Sequence, residues 1–150
     1  MIREIIETDR RGLLALYTQL GKNGMPRETP ALDRLWHEII EEKNHHIIVA
    51  EENGQIISSC VCVVVPNLTH GQRPYALIEN VITDKAHRRK GLATACLNYA
   101  KEIACKKNCY KLMLLTGAKT KGTLSFYESA GFNRKDKTAF VQWLDIGPQE

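Results

Sequence analysis

No stretch of this sequence is apolar for long enough to cross a bilayer. The longest candidate, Ile56 to Val65, is broken by Ser58 and Ser59 and stopped by Pro66, well short of the roughly 20 residues a spanning helix needs. The opening, Met1-Ile2-Arg3-Glu4-Ile5-Ile6-Glu7, mixes acidic and apolar side chains where a secretory leader has a basic stretch and then an unbroken apolar one. The expected location is therefore the cytoplasm, away from any membrane. Cysteine is sparse and odd in number: Cys60, Cys62, Cys96, Cys105 and Cys109 lack CxxC spacing, and a reducing compartment leaves them free and mostly buried. Cys105 and Cys109, a helical turn apart, with His45 or His46 do not make up the four ligands of a zinc tetrahedron, so no metal is expected. Neither nucleotide signature is present, GxGxxG or GxxxxGK[ST], which excludes nicotinamide and nucleoside triphosphate chemistry. A helix-turn-helix and an aromatic-rich basic strand are missing too, which argues against a nucleic-acid partner.

What is present fits one ordinary globular domain spanning residues 1–150, with 43% hydrophobic and 25% charged residues and no low-complexity tract. The formal net charge of +4 is modest, so its placement matters more than its size. Arg88, Arg89 and Lys90 stand beside His87, directly before Gly91 and a helical pattern, where an anion would be held.

The periodicity predicts a strand at Ile2 to Ile6, then a helix capped by Thr8 or Asp9 that carries Leu13, Leu16, Tyr17 and Leu20 on one face. Thr29-Pro30 starts a second helix, with Leu32, Leu35, Trp36, Ile39 and Ile40 inward. His46 to Ala50 and Gln55 to Val65 read as a hairpin about Asn53-Gly54, whose residues tolerate positive φ. A strand at Tyr75 to Thr83, a helix from Gly91, a strand at Leu112 to Thr116, a helix capped by Thr120 and ended by Gly131, and a last strand at Ala139 to Leu144 complete the order. The tail Gly147-Pro148-Gln149-Glu150 reads as loose. The order β-α-α-β-β-β-α-β-α-β gives an α/β fold, a mixed sheet with helices on both faces.

In Arg88-Arg89-Lys90-Gly91-Leu92-Ala93-Thr94 a glycine and a small alanine sit where strand passes into helix. Backbone N–H groups are left uncovered there, with the helix dipole behind them, which suits a pyrophosphate. Arg88-x-x-Gly91-x-Ala93, after the strand Ile78-Glu79-Asn80-Val81-Ile82-Thr83, resembles the acetyl-CoA motif [Q/R]-x-x-G-x-[G/A] of the GNAT superfamily of N-acetyltransferases. Phe126-Tyr127-Glu128-Ser129-Ala130-Gly131-Phe132 is similar to that family's FYxxxGF segment. The resemblance implies the GNAT acyl-CoA N-acyltransferase fold, mostly antiparallel in its sheet. It also implies an enzyme of the acyltransferase class that uses acetyl-CoA as co-substrate, yielding coenzyme A.

Acetyl transfer to an amine requires loss of a proton from the amine, stabilisation of the carbonyl oxygen and protonation of the leaving thiolate. Glu79 is the candidate base: a carboxylate among Leu77, Ile78, Val81 and Ile82 must reach a cavity, a partner or water. By strand parity it shares a face with Leu77 and Val81. The resemblance implies further roles. The Val81 N–H meets the acyl oxygen, the main chain of Ile82 and Thr83 holds pantetheine, and Arg88 to Thr94 hold the pyrophosphate. Tyr127 is the acid beside the sulfur. Many members of the family carry an asparagine where this chain has Thr120, which leaves Thr120 between a cofactor contact and a helix cap. Cys60 and Cys62 have no basic neighbour to make either a nucleophile.

In this family the acceptor lies over residues 21–29 and 66–74, which hold Met25, Arg27, Glu28, Asn67, His70, Gln72 and Arg73; their mixed charges suggest a small polar amine. A protein or peptide amine, and an acyl-CoA-binding sensor without turnover, are the alternatives. The family's habit, with Phe140, Val141 and Trp143 on the last strand, implies a homodimer.

Overall fold

The computed structural model describes residues 1–144; the tail from Gly147 lies outside the described residues. Two compact units divide the chain, Met1–Leu114 and Leu115–Glu150.

The first unit is a five-stranded sheet in the order β1-β2-β3-β4-β5. Its strands are β1 (Ile2–Glu4), β2 (His45–Glu52), β3 (Gln55–Val65), β4 (Tyr75–Thr83) and β5 (Leu112–Leu114). Neighbours from β1 to β4 pair antiparallel. β5 pairs parallel with β4, after a crossover through α3 (Leu92–Lys106). The β2–β3 hairpin closes on Asn53 and Gly54, at φ 52° and 76°, the pair of left-handed residues that a two-residue hairpin turn of type I′ requires.

Helices α1 (Arg10–Tyr17) and α2 (Pro30–Glu41) cover one face. Their Leu13, Leu16 and Trp36 form a single buried cluster with Ile47, Val49, Ile56, Val61 and Ile82. The alternate residues Ile48, Cys60, Cys62 and Ile78 are buried too, on the face where α3 packs against β2, β3 and β4 with Cys96, Leu97, Ala100, Ile103 and Ala104 inward. Alternation along the strands thus builds two cores, one per face. The Leu32 N–H donates to Thr29 Oγ1 at 3.2 Å, so the expected cap and proline start α2.

Asp9 differs from the expectation. It does precede α1, but its side chain caps nothing there. Asp9 Oδ2 instead accepts from the Ile6 N–H at 2.8 Å and from Arg3 Nη1 at 2.6 Å, and Arg3 Nη2 donates to Glu51 at 2.7 Å. This network ties β1, the turn after it and β2 together, and Asp9 is buried. The Arg3 guanidinium holds the Asp9 carboxyl below its usual range. A depressed carboxyl contributes stability that is present above its unfolded pKa of about 3.9 and is lost as pH falls through the folded value. Asp9→Asn is expected to lower stability by about 2 kcal/mol at pH 7. Melting curves should show the gap from the unaltered protein closing below about pH 4.

In the second unit, α4 (Lys121–Ser129) begins at Thr120, whose Oγ1 accepts from the Thr123 N–H at 3.3 Å. It ends at Gly131, φ 99°. The Phe132 N–H bonds back to the Tyr127 carbonyl at 3.1 Å and the Gly131 N–H to that of Glu128 at 3.0 Å. This is the paired closure of a Schellman motif, with the Phe132 ring packed edge-on against Tyr127. The GF dipeptide of the sequence motif is therefore a helix stop.

The expected last strand is not formed: residues 139–144 carry no strand pairing. Phe140 is 92% exposed and Trp143 71%. Their composition favours a strand, but a strand exists only where another supplies ladder partners, and among the described residues the sheet ends at β5. The edge expected to meet a second subunit is accordingly absent.

Candidate functional site

β4 does not run straight into α3. Ser59 pairs with Ile82 and Val61 with Glu79, so Asn80 and Val81 together stand opposite Cys60. The extra residue makes a bulge, with Asn80 in the left-handed region at φ 51°. Asparagine tolerates that conformation better than most side chains. A bulge bends its strand and leaves the extra residue unpaired in the ladder. It also corrects the parity expected for Glu79, which shares a face with Leu77 and, across the bulge, with Ile82; Val81 is turned away. Glu79 lies on the α1–α2 face opposite Val61 and is exposed, so its charge meets water. Among the described residues nothing pairs with it.

Beyond β4, Asp84 caps a short 3₁₀ turn, Lys85–His87, by accepting from the Ala86 N–H at 3.0 Å. Its carboxylate also contacts His87 Nδ1 at 2.6 Å and accepts from Gln19 Nε2 at 2.7 Å. These bonds, first Gln19 and then His87, hold its pKa below the usual value. Gln19 Oε1 in turn accepts from the Lys85 N–H at 3.0 Å. Gln19, just after α1, thus clamps the turn that leads to Arg88, a connection that no spacing in the sequence signals. A cleft of about 220 Å³ lined by Gly12, Ala15, Leu16, Gln19, Ile56 and Asp84 lies beside this clamp and includes neither Glu79 nor residues 88–94.

Arg89 and Gly91 are both left-handed, at φ 62° and 75°, and Gly91 is the cap of α3 without a side chain to satisfy the first turn. The first intrahelical bond runs from the Ala95 N–H to the Gly91 carbonyl at 3.0 Å, so the amides of Leu92, Ala93 and Thr94 have no helical acceptor. Alternating left-handed residues curl successive N–H groups into a concavity that suits an anion. A Cβ built on Gly91 meets nothing within 4 Å, so the approach to those amides is open. Arg88, Arg89 and Lys90 are exposed, and among the described residues no carboxylate pairs with any of them. Arg88 Nε donates to the Thr83 carbonyl at 3.4 Å.

Glu79, Val81, Ile82, Thr83 and Arg88 to Thr94 therefore follow one another along a single path, β4 to turn to α3, within the first unit. Tyr127 and Thr120 belong to α4 in the second. The Tyr127 ring lies 4.9 Å from that of Phe126 and is half-buried. The loop at 66–74 joins the far end of β4: His70 stacks on Tyr110 at 3.9 Å, and Arg73 donates to the carbonyls of Asn108 and Cys109, each at 3.1 Å.

The cysteines are free, with Cys60, Cys62 and Cys96 buried. Burial pushes the Cys62 and Cys96 thiols up to about 11 and Cys60 higher still, which makes poor nucleophiles. Among the described residues no cluster of His, Cys, Asp and Glu could hold a metal, and no helix is long and apolar enough to cross a membrane.

Known proteins share this fold. The chain is 35% identical to a putative acetyltransferase from Agrobacterium tumefaciens, whose structure superposes with a TM-score of 0.87 over 95% of this chain and 99% of that one. It is 25% identical to glucosamine-6-phosphate N-acetyltransferase from Arabidopsis thaliana, with a TM-score of 0.86 over 97% and 98%. A glucosamine 6-phosphate N-acetyltransferase of Trypanosoma brucei brucei is 33% identical over 87 residues, 58% of this chain. The chain spans 57% of the length of that curated relative and 39% of a second. The model of the Acetyltransferase (GNAT) family matches residues 7–132, across both units and every element from α1 to α4, and the chain belongs to that family.

Proposed function

We propose that the protein transfers an acetyl group from acetyl-CoA to a primary amine of a small polar molecule, by direct attack in a ternary complex. The observation that carries this reading is the passage from the β4 bulge into the uncapped, left-handed start of α3. It joins a solvent-facing carboxylate to a concave set of free amides along one stretch of backbone. Acetyl-CoA supplies the activated acyl group; the chain supplies position, charge and proton movement. The amides of residues 92–94 and the charges of Arg89 and Lys90 hold the diphosphate. The main chain of Ile82 and Thr83 holds the pantetheine arm, and the Val81 N–H, beside the residue that the bulge takes out of the ladder, stabilises the carbonyl oxygen as it gains charge.

Glu79, exposed and unpaired among the described residues, takes the proton of the ammonium, directly or through water. An alkylammonium of pKa about 10.4 is almost wholly protonated at neutral pH, so this step is needed for attack. Tyr127 gives a proton to the departing thiolate. Thr120 serves the helix alone, because its hydroxyl is engaged by the Thr123 N–H and hydroxyl. The relatives named for glucosamine 6-phosphate make an amino sugar phosphate the first amine to try. Arg27, exposed on the α1–α2 segment and without a partner among the described residues, is a suitable group for its phosphate.

The test is thiol release from acetyl-CoA across polyamines, amino sugars with and without phosphate, amino acids and peptides. Release with one class of small amine is the expected result. Bound acetyl-CoA with no release from any amine means a sensor, and release with peptides alone means a protein-directed enzyme. Tyr127→Phe is expected to lower kcat only about tenfold, since a thiolate whose acid has a pKa of about 8.5 already leaves readily.

A further inference from the structure

Gln19, just after α1, uses both ends of its amide on one turn. Its Nε2 donates to Asp84 Oδ1 at 2.7 Å, and its Oε1 accepts from the Lys85 N–H at 3.0 Å. Asp84 Oδ2 accepts from the Ala86 N–H at 3.0 Å and meets His87 Nδ1 at 2.6 Å, while the Asp84 N–H donates to the Ile57 carbonyl at 2.8 Å. A polar network satisfied at so many points is rigid. The next three residues lack such ties. Among the described residues Arg88, Arg89 and Lys90 make a single hydrogen bond, from Arg88 Nε to the Thr83 carbonyl at 3.4 Å, and none through their backbone. The next fixed point is the first bond of α3, from the Ala95 N–H to the Gly91 carbonyl. The course of these three residues, with Arg89 left-handed among them, is therefore set by its two ends. Gln19 is not needed to hold α1 itself, because Leu13 and Leu16, 1% and 3% exposed, already anchor that helix in the core.

We propose that Gln19 is a positioning residue for the co-substrate: acting through Asp84 and the Lys85 N–H, it fixes the entry of the turn, and so the direction in which the amides after Gly91 meet the diphosphate. This rests on the reading of that turn as the diphosphate site. A fork closed on the turn orders it ahead of binding, and such preorganisation raises affinity by reducing the cost of ordering. The effect belongs to coenzyme A and not to pantetheine, which lacks the diphosphate.

The experiment titrates coenzyme A and pantetheine by calorimetry into the unaltered protein, Gln19→Leu, Gln19→Glu, Asp84→Asn and the double variant Gln19→Glu with Asp84→Asn, with a melting curve for each. Gln19→Leu removes both bonds at similar size. It is expected to weaken coenzyme A binding about tenfold, to leave pantetheine within about twofold and to lower the melting temperature by no more than about 4 °C. Gln19→Glu sets two carboxylates against each other, and Asp84→Asn sets two amide N–H groups against each other; each is expected to weaken coenzyme A binding. The double variant exchanges donor and acceptor, since an amide at 84 donates to a carboxylate at 19 that still accepts from the Lys85 N–H. Coenzyme A affinity should then return to within about twofold of the unaltered protein. The proposal is overturned if Gln19→Leu leaves the ratio of the two affinities unchanged, or if the double variant binds no better than the single ones. It is overturned as well if Asp84→Asn binds coenzyme A more tightly, which would make charge rather than position the cause. An unaltered protein that does not distinguish coenzyme A from pantetheine would instead remove the diphosphate reading, and this proposal with it.

Discussion

Glu79→Gln is expected to lower kcat/KM about a hundredfold at neutral pH, the lower end of what a positioned base contributes. The change keeps size and polarity at an exposed site opposite Val61, so neither the melting temperature nor acetyl-CoA affinity should move. The loss should shrink as pH approaches the amine's own pKa, about 10.4 for an alkylammonium, because free amine then needs no base. A pH–rate profile of both proteins checks this. A loss that stays constant to high pH would assign Glu79 to binding the ammonium as a charge rather than to taking its proton.

Gly91→Asp should raise the Kd for acetyl-CoA about a hundredfold, which corresponds to about 2.7 kcal/mol. The aspartate would put a negative charge over the free amides of α3 and compete for them as a helix cap. Space is not the cause, since a Cβ at Gly91 meets nothing. Backbone strain at φ 75° costs about 1 kcal/mol of stability. Gly54→Asp is the control: at φ 76° and with equally open surroundings, it should show the same strain without loss of affinity. Titration calorimetry on the two variants separates charge at the site from a general effect of replacing a left-handed glycine.

Much of the fold was legible because its signals are local. Thr29-Pro30 caps and opens α2, Asn53-Gly54 turns the hairpin, and Tyr75–Thr83 forms a strand with the bounds its composition predicts. Gly91 and Gly131 were legible for the same reason, as each marks a left-handed residue at a helix end. What failed depends on which partner a strand or side chain finds, and composition does not name it. Phe140, Val141 and Trp143 have strand composition, but no ladder receives them. Asp9 looked like a cap, yet Arg3 and Ile6 claim its carboxylate.

The path Glu79 to Thr94 is marked by sequence motifs, whereas the bulge that shapes it lies in no motif. Asn80 offered a signal, being poorly suited to a strand and tolerant of positive φ, and it marks the bulge that reverses the parity expected for Val81. The Gln19–Asp84 clamp joins residues 65 positions apart. No periodicity carries that information.

Paired calorimetric titrations with coenzyme A and with pantetheine, which shares the thiol arm and lacks the diphosphate, test the anion-binding turn most directly. Coenzyme A should bind at least about a hundredfold more tightly, and the difference should narrow as salt is raised. Equal affinity for the two, or no binding of coenzyme A, would contradict the role given to the amides that follow Gly91.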